Sequence, residues 1–154
     1  MKNESPSVQV ASFISKFEPA IAKIVRESRS ELRRRFPAAN ELVYDNYNAL
    51  AIGYSPSERT SEVVFSLAVY PRWVDLYFMH GRSLPDPNEL LQGNGKQGAF
   101  VRLTSANSLR LPAVRKIITA ALKHSETDFS ATAKGRTIVK SVSAKQRPRR
   151  PLKK

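Results

Sequence analysis

The chain contains no cysteine. That excludes a disulfide framework, a thiolate metal site and a cysteine nucleophile, and it fits a reducing compartment, so a cytoplasmic location is expected. Histidine is almost as scarce. His80 and His124 are the only two, 44 positions apart, with neither HxxH nor HxxxH spacing between them. No metal site and no cofactor is expected from such a ligand set. No apolar run approaches the roughly 20 residues that span a bilayer, and residues 1–6 lack the apolar stretch of a signal peptide, so no membrane partner is expected. There is one tryptophan, Trp73, and no internal repeat. Acidic residues stop at Asp128.

What the chain has in excess is positive charge. It carries 26 Lys and Arg against 13 Asp and Glu, a net of +13 over 154 residues. The first 130 residues hold 17 of those cations and all 13 acids, a net of +4, whereas residues 131–154 hold 9 cations and no acid. A length of 154 residues and an apolar share of 41% suit one domain with its own core. The expected organisation is therefore a mildly basic domain over residues 1–130 and a basic C-terminal extension over 131–154.

Period-3.6 patterns come first. Ser5-Pro6 is a cap followed by proline, and Val10, Phe13, Ile14 and Phe17 form one apolar stripe behind it. Pro19 opens a second helix with Ile21, Ile24, Val25, Ser28 and Leu32 on one side. Its other side carries Lys23, Arg26, Arg29, Arg33 and Arg34, and Phe36-Pro37 ends it. The period then changes to two. Strands are predicted at 42–44 and 49–54 around a polar turn at Asp45-Asn46, at 62–69 and 73–79 as an antiparallel hairpin, and at 99–103. Asp86-Pro87 predicts a short helix ended by Gly93, and residues 112–123 a longer one with Val114, Ile117, Ile118, Ala121 and Leu122 inward. Residues 137–142 read as an edge strand, and the chain from about 143 as disordered. The fold class expected is α+β, an antiparallel sheet with two N-terminal helices and a C-terminal helix packed on one face.

The run Trp73-Val74-Asp75-Leu76-Tyr77-Phe78-Met79-His80-Gly81, then Leu84-Pro85-Asp86-Pro87 and Leu90-Leu91-Gln92-Gly93-Asn94-Gly95-Lys96, resembles the YdhG-like family of uncharacterised bacterial domains (domain of unknown function 1801). The resemblance covers roughly residues 8–124. It implies an α+β fold and a cytoplasmic protein, with no activity attached. Some relatives are described as frataxin-like iron chaperones, which implies an acidic helix. Here the second helix is basic, and a basic helix repels Fe²⁺, so iron delivery is disfavoured.

No catalytic constellation stands out. Gly81-Arg82-Ser83-Leu84-Pro85 lacks the second glycine of a nucleophile elbow. Gly93-Asn94-Gly95-Lys96 looks like an anion nest, but Leu90 stands where a Walker loop needs glycine and Gln97 where it needs Ser or Thr. An enzyme would have to use His80 with Asp75 or Tyr77. The ligand-binding candidates are Tyr44, Trp73, Tyr77, His80, Lys96 and Arg102, aromatic rings with polar handles near cations, able to line a groove for a small ligand or to complete a second core. The polyanion-binding candidates are Lys145, Arg147, Arg149, Arg150, Lys153 and Lys154, spaced by prolines and lacking any base-reading motif. They would give non-specific contact with nucleic acid through the tail. The leading expectation is a non-enzymatic binding or accessory domain. Nothing in the sequence fixes its oligomeric state.

Overall fold

The computed structural model describes residues 4–129 and 134–152. Three helices, α1 (Pro6–Ser15), α2 (Pro19–Arg35) and α3 (Pro112–His124), pack on one face of a six-stranded sheet. The strands are β1 (Asn40–Asp45), β2 (Leu50–Ser55), β3 (Phe65–Val69), β4 (Val74–Phe78), β5 (Ala99–Leu103) and β6 (Thr137–Val142), in the spatial order β5-β4-β3-β2-β1-β6. Every neighbouring pair is antiparallel except β1 and β6, which run parallel. This is the α+β architecture the periodicity predicts.

Local chemistry sets the helix ends. Ser5 Oγ accepts from the Val8 amide at 3.3 Å and Pro6 follows in the first turn, so α1 starts where the cap-then-proline pattern places it. Phe36 closes α2 by donating its amide to Leu32 O at 2.9 Å.

Register assigns each strand residue to a face. Val43, Ile52, Leu67, Leu76 and Val101 form one row across β1 to β5, and all are buried under the helices. The stripes Val10, Phe13, Ile14, Phe17 and Ile21, Val25, Leu32 face that row, as their spacing requires. Ser28 shares the α2 stripe, and its hydroxyl is fully buried with no hydrogen-bond partner among the described residues.

Three sequence expectations change. The helix expected from Asp86 to Gly93 is a capped turn instead. Both oxygens of the Asp86 carboxylate are used, on the amides of Leu90 and Leu91 at 2.8 Å each, and Glu89 adopts φ +53°, which no α-helix continues. Asp45 is no turn residue but the fully buried last residue of β1. Residues 143–150, part of the segment expected to be disordered, are fastened to the domain. The amides of Ser143 and Arg147 donate to Asp45 O and Tyr47 O, both at 2.9 Å, and Arg150 Nε donates to Lys16 O at 3.1 Å. β6 itself joins the sheet beside β1.

Candidate functional site

The two faces of the sheet treat charge differently. On the helix side, β1 buries two carboxylates. Glu41 receives Arg29 Nε on Oε2 and Arg29 Nη2 on Oε1, both at 2.9 Å, with Thr137 Oγ1 at 2.7 Å and Tyr54 Oη at 2.9 Å. Burial and the neighbouring Glu41 charge push the Tyr54 phenol well above its ordinary value, so it stays the donor. Asp45 is held by Lys16 Nζ and Arg149 Nη2, both at 2.9 Å, while Arg149 lies over the Phe17 ring at 5.8 Å. Burial works to raise the Asp45 carboxyl. Hydrogen bonds involving Gln146, Lys16 and Arg149, with the Lys16 charge, outweigh it and hold the group below its ordinary value. The basic face of α2 is thus partly spent on the fold.

The opposite face carries two rows. Tyr44, Ala51, Ala68, Asp75 and Arg102 lie side by side across β1 to β5, and Leu42, Gly53, Ser66, Tyr77 and Phe100 form the next row. The two central strands contribute only Ala51, Gly53, Ser66 and Ala68, all small. Large side chains stand on either flank, so the face is a shallow trough. Strand spacing of about 4.8 Å puts Tyr44 and Arg102 about 19 Å apart. Loops cover one end. Val63 lies against Gly53, where an added Cβ would meet its Cγ1 at 3.0 Å, and the chain at Gly98 crosses so near Tyr77 that a Cβ there would fall 1.7 Å from the hydroxyl. The end toward the β3–β4 turn stays open.

At that open end the side chains interlock. Arg102 Nε donates to Asp75 Oδ1 at 2.7 Å, and no other hydrogen bond to this carboxylate forms among the described residues. The Arg102 guanidinium lies over Trp73 at 4.7 Å and near Phe100 at 5.5 Å. Tyr70 tilts against Trp73 at 5.7 Å. Trp73 remains 38% exposed. Burial pushes the Asp75 carboxyl up and the single Arg102 contact does not offset it. Burial, with the Asp75 charge and Tyr77, also pushes the Tyr70 phenol up.

Of the six ligand-binding candidates, Trp73 and Arg102 are in contact, Tyr77 shares their face and Tyr44 forms the far wall of the trough, its hydroxyl bonded to Thr60 Oγ1. Lys96 is exposed on the covering loop. That loop closes through carbonyl oxygens, Arg82 binding Gly95 O through Nε at 3.2 Å and Gln97 O through its amide at 2.9 Å, so its amides are not gathered into a nest by those bonds. His80 lies elsewhere. Its ring packs on His124 with centroids 5.4 Å apart, and both line a cleft of about 490 Å³ with Glu62, Glu126 and Asp128. Spacing could not reveal this pair, because the β4 end and the α3 end meet only in three dimensions. His80 Nδ1 is bonded to Gln97 Nε2 at 2.7 Å, and neither Asp75 nor Tyr77 joins it. No group of three potential metal ligands converges among the described residues.

Among the tail candidates, Arg149 is buried on Asp45 and Arg150 is bonded to Lys16 O, whereas Lys145 and Arg147 are left at the surface. Lys153 and Lys154 lie outside the described residues. Among the described residues no helix is long and apolar enough to cross a membrane. No protein-family model, no curated protein and no solved structure was found to match this chain.

Proposed function

We propose that this chain is a non-enzymatic binding domain, cytoplasmic and of the YdhG-like kind, and that the open sheet face is its ligand site. One observation carries the reading. The two central strands present only small side chains between Tyr44 and the Trp73–Arg102–Asp75 cluster, leaving the single tryptophan partly exposed beside an arginine. A residual core would fill that space, whereas a binding face leaves it free. Trp73 makes the test direct. Its emission is to be followed while the protein is titrated with a panel of planar and anionic metabolites and short nucleic acids. At least one is expected to shift or quench the signal in a saturable way, and silence across the whole panel contradicts the reading.

The tail is the weaker alternative site for nucleic acid, because Arg149 is buried on Asp45. Iron delivery has less support still. The exposed side of α2 is basic, and no metal-ligand cluster forms among the described residues.

A further inference from the structure

Building on the open face as the ligand site, we infer that its occupant is single-stranded nucleic acid. Shape is the first argument. A small-molecule site encloses most of its ligand, whereas this trough is open along a row about 19 Å long and can cover only one side of a flat molecule. A strand of unpaired bases needs such a platform, with rings to stack on and a floor low enough to admit the bases. Tyr44 stands at one end, Trp73 and Tyr70 at the other, and Ala51 and Ala68 lie between.

Charge is the second argument. Arg72 is exposed at the β3–β4 turn next to Trp73, and at the other end exposed Lys140 binds only a backbone oxygen, Glu58 O, on the loop that reaches Tyr44. The acids nearby are occupied: Asp75 by Arg102, Glu58 by Arg136 and Glu62 by Arg59. In a chain of net charge +13 the rim is left with cations for phosphates at both ends of the trough. Duplex nucleic acid fits less well, because its base faces are already stacked and the rings would have nothing to take. The unbonded oxygen of Asp75 adds an acceptor for an exocyclic amino group of a base.

The experiment uses the full chain with a labelled single-stranded RNA 12-mer, the matching hairpin duplex, and two readouts, Trp73 emission and anisotropy of the label. The expected result is saturable quenching of Trp73 by the single strand and weaker binding of the duplex. With about three phosphate contacts, affinity should fall about 20-fold between 50 and 200 mM salt. Tyr44→Ala should weaken binding about 5-fold or more. Arg72→Ala, at an exposed turn, should leave the melting curve unchanged and still weaken binding, which separates loss of the site from loss of the fold. Anisotropy that rises without a change in Trp73 emission, and that falls with Arg26→Ala on α2, would move the contact to the helix layer and overturn the inference. Equal affinity for the duplex would overturn it too. If no oligonucleotide binds at 50 mM salt while a planar metabolite shifts Trp73, the open face stands as a ligand site and nucleic acid is wrong; if neither acts, both fail.

Discussion

Asp45 and Asp75 sit on opposite faces of one sheet, each against an arginine; burial works to raise both carboxyls, yet Asp45 ends below its ordinary value and Asp75 above it. Asp45 has Lys16 and Arg149 on its two oxygens, and the contacts overcome the cost of desolvation. Asp75 has Arg102 alone, and they do not. The difference lies in how fully each charge is paired. Asp45 is compensated enough to hold α1, β1 and the chain beyond β6 together. Asp75 is left buried on one arginine, and that arginine lies against Trp73 and Phe100.

Removing each acid should break the comparison unevenly. Asp45→Ala leaves Arg149 buried beside no counter-charge and should lower stability by about 3–5 kcal/mol in a urea melt. Arg149→Ala leaves Asp45 with Lys16 and should cost less, about 1.5–3 kcal/mol. Asp75→Asn removes a pair whose arginine is well exposed and should change the urea midpoint by under about 1 kcal/mol.

The pH dependence follows the same division. A carboxyl held low in the folded state contributes stability that is present above its unfolded value and lost as pH falls through its folded one. Asp45 belongs here. So does Glu31, where burial is outweighed by Arg110, Arg34 and Arg35. Stability should therefore drop below about pH 4, and Asp45→Asn should flatten that drop. Asp75 has the opposite sign, so its protonation favours the folded form. The smallest effect is expected at Ser28. Ser28→Ala removes a buried hydroxyl without a partner and should be neutral or stabilising by up to about 1 kcal/mol, read from the same melt.

Much of this arrangement was legible in the chain. The stripes on α1, α2 and α3, the β3–β4 hairpin and the edge strand β6 all follow from periodicity, because one buried face imposes a repeat on local sequence. Alternation along 73–78 also puts Trp73, Asp75 and Tyr77 on the face opposite Val74, Leu76 and Phe78. The role of Asp45 was not legible. Its arginine partner lies 104 positions away, in a proline-spaced basic segment with no apolar period, and composition alone makes such a segment look unfolded. The turn after Asp86 was half legible: the cap was visible, but the left-handed backbone at Glu89 was not. The contact between His80 and His124 is tertiary and leaves no trace in spacing.

The charges that hold the fold and the charges that serve the site can be separated in one measurement. It is the response of Trp73 emission to single-stranded RNA in Arg149→Ala and Arg102→Ala, taken side by side below both melting transitions. Arg149→Ala should melt earlier and respond as the parent does, while Arg102→Ala should lose most of the response whatever its melting point. The reverse pattern, with the response lost in Arg149→Ala and kept in Arg102→Ala, would contradict the assignment of function to the open face and return it to the C-terminal segment.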